Sequence, residues 1–236
     1  MPIDATGLSE MDQTAYARAM RLASLNAVGE IRLVDAPRDG GLLARCIAGT
    51  AFGETDPFDA CAVHDDDRWL VIRSGHPAAG EAAALRWGSA AWATLDAFCD
   101  SVKDRLEAAG ATLCFRPHAD DILSDAHACR VFLERRAGGP FEVCGDPGAM
   151  LTPAMIPTAP EHVERSIQAL ASCGGAVALI LTNVVLQGER LMPAPITEGI
   201  LDPNTIAGLA RALWPADRPL VLLEQDFASQ ARLLGG

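Results

Sequence analysis

The sequence predicts an α/β fold with a parallel sheet in this 236-residue chain. From Trp69 onward, short apolar runs alternate with helical patterns, so that each strand is followed by one helix. Residues 176–183 are almost continuously apolar, as expected of a strand that is covered on both faces. The chain contains neither a Gly-x-Gly-x-x-Gly loop nor a Walker loop. Five regular repeats after a shorter front therefore favour a (β/α) barrel over an open doubly wound sheet.

The front of the chain, residues 1–68, is the irregular part of what we predict to be one domain over 1–236. With few secure strands there, either the N-terminal pieces complete the barrel irregularly or a partner copy covers an open edge. Its candidate elements are a helix over 9–25, a strand over 30–35, and two short apolar pieces at 42–48 and 58–63.

The regular repeats occupy residues 69–236, and their elements follow from periodicity. A period of two or a short apolar run predicts a strand, and apolar spacings of three and four predict a helix. The predicted strands are 69–73, 112–116, 141–145, 176–182 and 219–224. The predicted helices lie within 79–109, 125–137, 158–171, 203–213 and 227–234.

Helix boundaries carry their own signals. Gly110 is placed to end one helix in a left-handed conformation. Ser124 is a candidate N-cap, and Thr158 with Glu161 fits a capping box. Asp202 precedes a proline at the first helical position, which predicts a capped helix start.

Composition excludes several function classes. The formal net charge of −12 argues against nucleic acid and against an anionic membrane surface as partners. No apolar run reaches the roughly 18 residues that span a bilayer, and the first thirty residues lack the apolar core of a signal peptide. The seven cysteines form no C-x-x-C pair, and three lie in apolar runs, at Cys99, Cys114 and Cys144. We therefore expect a cytoplasmic protein with reduced cysteines.

Polar side chains stand where the predicted strands stop. In a parallel barrel these ends face one mouth, where ligands bind. Charged groups there either bind a polar ligand or a metal, or neutralise one another. The polar residues at these ends are Arg73, Arg116, His118, Asp146, Thr182, Asn183, Glu224 and Asp226.

Residues from about Trp69 to Leu233 resemble the xylose-isomerase-like TIM barrels of the sugar phosphate isomerase and epimerase family. Such proteins typically bind one or two divalent cations through a Glu, an Asp, a His and a second Glu at successive strand ends. The resemblance implies a small sugar or sugar-derived ligand at the barrel mouth. The matching stretches are WLVIRSG, LCFRPHADD, FEVCGDPGAML, ALILTNV, PAPITEGILDPNTIAGL and PLVLLEQD.

Two of the four implied metal ligands are present. Asp146 matches the family's Asp in its Asp-Pro-Gly-His motif, and Glu224 matches its final Glu. Arg116 stands where the first Glu is expected, and Ala149 where the motif has His. Glu198 matches an acidic residue of a family loop.

A second departure concerns the family's His-x-x-Asp pattern. Ile180 stands in place of its His and Asn183 in place of its Asp. The resemblance therefore implies a degenerate metal site.

The charge of Arg116 decides what we expect at this site. An arginine stays protonated and has no acceptor, so it would repel a divalent ion. We predict that its guanidinium takes the place of the metal and pairs with Asp146 and Glu224. The alternative is a displaced divalent cation (Mn, Mg, Co or Zn) held by the same two carboxylates and His118.

Two function classes follow. The first is an isomerase, epimerase or lyase-like enzyme acting on a small sugar or sugar-derived acid. The second is a non-catalytic relative that has lost the metal and serves as a ligand-binding or partner protein. The residues alone leave open whether the protein is an enzyme.

In the enzyme class, proton handling falls to Asp146, Glu224 and His118. The predicted ligand-binding residues are Arg73, Arg116, Asn183 and Glu198.

Five of these seven residues also fit a structural role. Arg73 fits an ion pair at the mouth, and His118 a hydrogen-bonded loop position. Asp146 fits a turn before proline, Asn183 fits loop backbone contacts, and Glu198 fits a solvent-exposed cap.

Overall fold

The computed structural model describes residues 31–34, 44–47, 69–75, 88–223 and 225–234. The predicted helix over 9–25 and the apolar piece at 58–63 lie outside these ranges. The strands are β1 (Ile31–Val34), β2 (Ala44–Ile47), β3 (Trp69–Arg73), β4 (Thr112–Arg116), β5 (Phe141–Gly145), β6 (Ala176–Leu181), β7 (Asn183–Gln187), β8 (Arg190–Ala194) and β9 (Leu220–Leu223). The helices are α1 (Ser89–Ala109), α2 (Ala126–Arg135), a 3-10 helix over Pro153–Thr158, α3 (Ala159–Ala171), α4 (Pro203–Leu213) and α5 (Phe227–Leu233).

A seven-stranded sheet in the order β1-β9-β6-β5-β4-β3-β2 forms the centre of the fold. From β2 to β9 every neighbouring pair is parallel, and the strands are consecutive along the chain except for the separate β7–β8 hairpin. The predicted mixed α/β fold with a parallel sheet is therefore confirmed. The strands predicted over 69–73, 112–116 and 141–145 are confirmed to the residue.

The two ends of this sheet are β2 and β1. The uncertain piece at 42–48 contains β2, which pairs parallel with β3. The strand predicted at 30–35 contains β1, which runs antiparallel to β9. No pairing joins β1 to β2, so the described strands form no closed barrel.

The two faces of the sheet are both buried but differently covered. The main core joins residues of α1 to α4 to alternate residues of the central strands. Phe115, Phe132 and Phe141 meet there edge to face, which is the favoured geometry for aromatic pairs. The second face carries a cluster drawn from strands alone, and its residues are at most 2% exposed. This inner cluster consists of Val71, Cys114, Cys144, Ala178, Ile180 and Val221.

The helix boundaries confirm two predictions and correct one. Gly110 adopts φ 60° after α1, and the Asp202 carboxylate accepts backbone hydrogen bonds at the start of α4. The N-cap of α2 is Asp125 and not Ser124, because the Asp125 carboxylate accepts the Ala128 amide at 2.8 Å.

The start of α3 and the end of α2 also differ from the prediction. Thr158 precedes α3, but its side chain accepts no capping hydrogen bond. The predicted capping box is therefore wrong for the Thr158 hydroxyl. The α2 helix ends at Arg135, two residues earlier than predicted. The guanidinium of the next residue, Arg136, bonds Asp96 and Asp100 of α1.

A β-hairpin interrupts the predicted strand–helix alternation between β6 and α4. Its strands β7 and β8 pair from Asn183–Ala194 to Gln187–Arg190 and enclose the two-residue turn Gly188-Glu189. Gly188 has φ 63°, whereas Glu189 does not have a positive φ, as in hairpin turns with glycine at the first central position. This hairpin was not predicted, because the strand–helix alternation of the sequence indicated one helix in each crossover.

Among the described residues, no helix is long and apolar enough to cross a membrane. The three cysteines predicted to behave as small hydrophobic residues are buried free thiols. Burial raises the pKa of Cys99 to about 12 and the pKa of Cys114 well above its ordinary value.

Candidate functional site

Four polar residues lie on the same face as the inner cluster, one step nearer the carboxyl ends of the strands. Since side chains alternate between the faces of a strand, a residue two positions after an inward residue also points inward. Arg73 and Arg116 are register partners on β3 and β4. We call this set the polar edge; its members Arg73, Arg116, Asp146 and Thr182 follow Val71, Cys114, Cys144 and Ile180 by two positions.

Arg116 and Asp146 form a buried ion pair at the polar edge. The Arg116 Nε lies 2.8 Å from Asp146 Oδ2, and its Nη2 lies 2.6 Å from the same oxygen. The Asp146 side chain is fully buried and the Arg116 side chain is 13% exposed. The predicted pairing of these two residues is confirmed. The second predicted partner, Glu224, lies outside the described residues.

The other carboxylate oxygen of Asp146 is also engaged. Oδ1 accepts the Thr182 hydroxyl at 2.6 Å and the Ala149 amide at 3.1 Å. The Met150 amide donates to the Asp146 carbonyl, which closes a turn through Pro147. Asp146 therefore acts both as a turn former and as the acceptor for two neighbouring strand ends.

Gly148 allows this turn to lie against the end of β6. A Cβ at Gly148 would come within 2.4 Å of Thr182 Oγ1 and 2.5 Å of its carbonyl oxygen. Such distances exclude any side chain unless the backbone shifts. The glycine of the Asp-Pro-Gly stretch is thus required by the packing of Thr182 onto Asp146.

Arg73 makes the second ion pair, with Asp121. Its Nε donates to Oδ2 at 2.9 Å and its Nη2 to Oδ1 at 2.6 Å, a two-pronged arrangement. Asp121 is fully buried, whereas the Arg73 side chain is 29% exposed. Nη1 of Arg73 has no hydrogen-bond partner in the described part of the chain. Arg73 therefore fits the predicted ion-pair role and still presents donors to solvent.

The loop after β4, residues 117–124, is fastened to both neighbouring strand ends. The Leu123 amide donates to the buried Ser74 hydroxyl at 2.9 Å, and the Ile122 amide to the Gly75 carbonyl at 2.8 Å. On the other side, the Ala119 amide donates to the Ala149 carbonyl at 2.8 Å. These bonds hold the loop, and with it His118, beside the polar edge.

His118 is half-buried in this loop. Its Nδ1 accepts the backbone amide of Asp120 at 3.1 Å. Burial lowers the pKa of the imidazole, and the Arg73 charge lowers it further, while Asp121, Asp120 and Asp146 act in the opposite direction. The neutral ring therefore predominates at neutral pH.

Asn183 lies in the sequence beside Thr182 but serves a different purpose. Its Oδ1 accepts the amides of Val184 at 2.8 Å and Leu201 at 3.1 Å. Its Nδ2 donates to the carbonyls of Leu201 at 2.8 Å and Ile196 at 3.4 Å. These contacts agree with the alternative in which Asn183 satisfies loop backbone, and its role as a ligand group stays a prediction.

Glu198 is exposed in the loop between β8 and α4, where its amide donates to the Pro195 carbonyl at 2.9 Å. Its side chain makes no polar contact among the described residues. Its predicted contact with a ligand stays a prediction as well.

Three residues that build the site were given no role from the sequence. Thr182 was named at a strand end, but only its neighbour Asn183 was assigned a function, although counting by two from the inner cluster selects Thr182. Asp121 and Ser74 lie in loops where no periodicity exists, so only the folded chain identifies them as partners of Arg73 and Leu123.

The described donors do not fit a divalent metal. No group of three His, Cys, Asp or Glu side chains within the described ranges lies close enough to hold one. More directly, both oxygens of Asp146 already accept hydrogen bonds, and one of the donors is the Arg116 guanidinium, which is a cation. Arg116 thus stands against Asp146 where a metal would have to bind.

A separate cavity of about 730 Å³ lies between α1 and α2, on the helical side of the sheet. Trp92, Asp96 and Arg135 line it together with other polar and apolar residues, and no member of the polar edge does. We assign no ligand to it.

Comparisons with known proteins leave the family of this chain open. No protein-family model and no curated protein matches the sequence. Among solved structures, mannonate dehydratase from Streptococcus suis serotype2 is similar with a TM-score of 0.40 and 15% sequence identity. The match covers 63% of this chain and 54% of that chain, so the chain spans about half the length of that protein. At this distance the likeness identifies neither family nor activity.

Proposed function

We propose that this protein binds a small sugar or sugar-derived ligand at the polar edge without the help of a metal. The observation that carries the proposal is the Arg116–Asp146 ion pair at adjacent strand ends. It puts a fixed positive group where the family resemblance implies a cation. A guanidinium can hold ligand oxygens by hydrogen bonds, as a metal holds them by coordination.

The strand order supports a barrel-type fold for this function. In a (β/α) barrel, neighbouring parallel strands are consecutive in the chain, whereas a doubly wound sheet reverses its order at a switch point. Here β2 to β6 and then β9 follow one another without reversal. The inner cluster also resembles a barrel interior, because strands alone supply its buried side chains.

Arg73 supports an oxygen-rich ligand. Its side chain is 29% exposed and fixed by two bonds to Asp121, so its donors are held in place before a ligand arrives. Sugar hydroxyls, carbonyls and carboxylates are all acceptors for such donors. Arg116 lies on the neighbouring strand in register with Arg73.

Isomerase or epimerase activity is the second candidate, and the surroundings of His118 favour it. A titratable ring with a lowered pKa beside an arginine is typical of functional sites. Asp146 is less suited to proton transfer, since protonation would disrupt its bonds from Arg116, Thr182 and Ala149.

The metal-free part of the proposal is tested by calorimetric titration of metal-stripped protein with manganese, cobalt and zinc. We expect no stoichiometric binding by the native protein and gain of binding in Arg116→Glu. Arg130→Glu is the matched control, because it makes the same charge change on the exposed surface of α2. Stoichiometric micromolar binding by the native protein would overturn the metal-free site.

The ligand part is tested by thermal unfolding with glucose, gluconate and glucose 6-phosphate. A ligand that binds only the native state raises the unfolding temperature in proportion to its occupancy. We expect a shift that Arg73→Met abolishes and Arg130→Met preserves. If none of the three compounds shifts the native protein, or if Arg73→Met leaves the shift intact, the ligand proposal is wrong.

A further inference from the structure

The hydrogen bond at His118 determines which nitrogen of the ring carries the proton. The Asp120 amide points at Nδ1 from 3.1 Å. A backbone N–H can only donate, so Nδ1 must offer a lone pair. A neutral imidazole has one protonated nitrogen, which must then be Nε2.

The loop that carries the ring is held firmly enough to maintain this arrangement. The His118 amide donates to the Leu123 carbonyl at 3.1 Å, and the Asp121 amide donates to the His118 carbonyl at 2.8 Å. The loop amides that donate to Ser74 and Ala149 anchor the same loop. Both the backbone at His118 and the Asp120 amide are therefore fixed relative to the ring.

The charges around the ring come from three elements. Arg73 at the end of β3 disfavours a second positive charge, while Asp120, Asp121 and Asp146 favour it. Burial is the largest influence and also disfavours the charged ring. The ring is therefore neutral near pH 7, which leaves the tautomer as the property that decides its chemistry.

We propose that His118 contributes to the site as a neutral hydrogen-bond donor through Nε2–H, and that it holds an oxygen of the ligand and does not remove a proton from it. The inference rests on the proposed function and narrows the ligand class. Arg73 and His118 then both donate, so the ligand must offer acceptor oxygens to this side of the polar edge. A carbonyl or carboxylate oxygen has two lone pairs for such donors.

The tautomer can be measured without any ligand. Long-range nitrogen–proton correlation spectra of protein labelled with ¹⁵N at histidine distinguish a bare ring nitrogen from a protonated one. We expect the His118 ring to show a bare Nδ1 and a protonated Nε2 at pH 7. The spectrum of His118→Gln identifies its signals, and that of His127→Gln identifies an exposed ring on α2. A protonated Nδ1, or a doubly protonated ring at pH 7, would overturn the proposal.

The donor role is tested by binding of whichever of glucose, gluconate and glucose 6-phosphate stabilises the native protein. Glutamine carries an amide N–H near the position of Nε2, so His118→Gln keeps a donor but offers no basic nitrogen. We expect His118→Gln to bind within a few-fold of the native protein and His118→Ala to bind roughly tenfold more weakly. Equal loss in both variants would contradict the donor role.

The two proposals fail in different ways. If His118 has a protonated Nε2 but no compound binds the native protein, the proposed function and the ligand contact are both wrong, and only the tautomer assignment is correct. If a compound binds and the proton is on Nδ1, the proposed function is supported and the donor role of His118 is wrong.

Discussion

Asp146 is fully buried, accepts three hydrogen bonds through its two carboxylate oxygens, and forms an ion pair with Arg116. A buried charge of this kind is tolerated only while its partners remain, because water cannot replace them. Arg116 supplies the compensating charge, and Thr182 and Ala149 supply neutral donors. The stability of the polar edge therefore depends on one ion pair more than on any exposed pair of the helices.

We predict that Arg116→Met lowers the free energy of unfolding by about 3–5 kcal/mol, since it leaves the Asp146 charge buried and unpaired. Adding Asp146→Asn to this variant should restore part of the loss, because the charge is then removed as well. Urea unfolding measures both. Arg130→Met, which breaks an exposed pair on α2, should change stability by less than about 1 kcal/mol. Equal effects of the two single variants would contradict the buried-pair argument.

We predict that His118 makes the protein less stable as the pH falls below the ordinary histidine pKa of 6.5. Its pKa is lowered in the folded state, so the unfolded chain binds the proton more readily. This contribution is fully present above pH 6.5 and is lost as the pH falls through the folded pKa. Urea unfolding between pH 7.5 and pH 5 measures the slope.

The matched comparison for this pH dependence is between two glutamine variants. His118→Gln should flatten the slope over this range, whereas His127→Gln, which changes an exposed ring, should leave it as in the native protein. An unchanged slope in His118→Gln would show that other groups control it.

At the scale of elements, the turn after β5 and the end of β6 form one unit. Asp146 and Thr182 are bonded across it, and Gly148 lets the two backbones approach. The sequence indicated the turn through Asp-Pro-Gly but not the strand against which it packs. That strand is fixed by the parallel pairing of β5 with β6.

We predict that Gly148→Ala destabilises the protein by about 1–3 kcal/mol, because its Cβ would overlap the Thr182 hydroxyl and carbonyl. The same change should weaken ligand-induced stabilisation by displacing Asp146. Gly174→Ala is the control, as a Cβ there meets nothing within 4 Å. Thermal or urea unfolding of the two variants measures the difference in their stability. A Gly148→Ala protein as stable as Gly174→Ala would mean that the turn adapts without cost.

The β7–β8 hairpin shows how a local signal can be outweighed in a prediction. The turn Gly188-Glu189 and the apolar residues before it are a hairpin pattern. The regular alternation of strands and helices suggested a simple crossover with one helix. That general pattern was preferred to the local hairpin signal, and the preference was wrong. Asn183, predicted as a ligand group, also ties this hairpin to the loop at Ile196 and Leu201.

At the scale of the whole molecule, the two faces of the sheet bury two different sets of side chains. The helical face contains the aromatic and most of the large aliphatic side chains, whereas the inner cluster contains valine, cysteine and alanine side chains and one isoleucine. Two cysteines, Cys114 and Cys144, belong to the inner cluster, while Cys99 lies in the helical core. Their thiols are therefore reporters of global opening.

We predict that iodoacetamide labels Cys173 faster than Cys99 or Cys114 in the native protein at pH 8. Cys173 is partly exposed, whereas the other two are fully buried with raised pKa values. In urea the rates should converge, because unfolding exposes every thiol. Peptide mapping by mass spectrometry gives the site of each label. Fast native labelling of Cys114 would indicate that the inner face opens without global unfolding.

The sequence by itself determined the type and position of most described elements after Trp69. Periods of two and 3.6, the caps at Gly110 and Asp202, and the apolar runs are properties of neighbouring residues, so they are readable from the chain. The class of fold followed from their alternation. The Arg116–Asp146 pair was also anticipated, through the charge of the arginine and the family resemblance.

Only the tertiary structure decided which distant residues meet. The antiparallel direction of β1, the Arg73–Asp121 pair and the bond from Thr182 to Asp146 join residues far apart in the chain. The tautomer of His118 likewise depends on how its loop is held between two strand ends. Such contacts gain their free energy from burial and geometry in the folded state, and no local pattern specifies a partner that lies dozens of residues away.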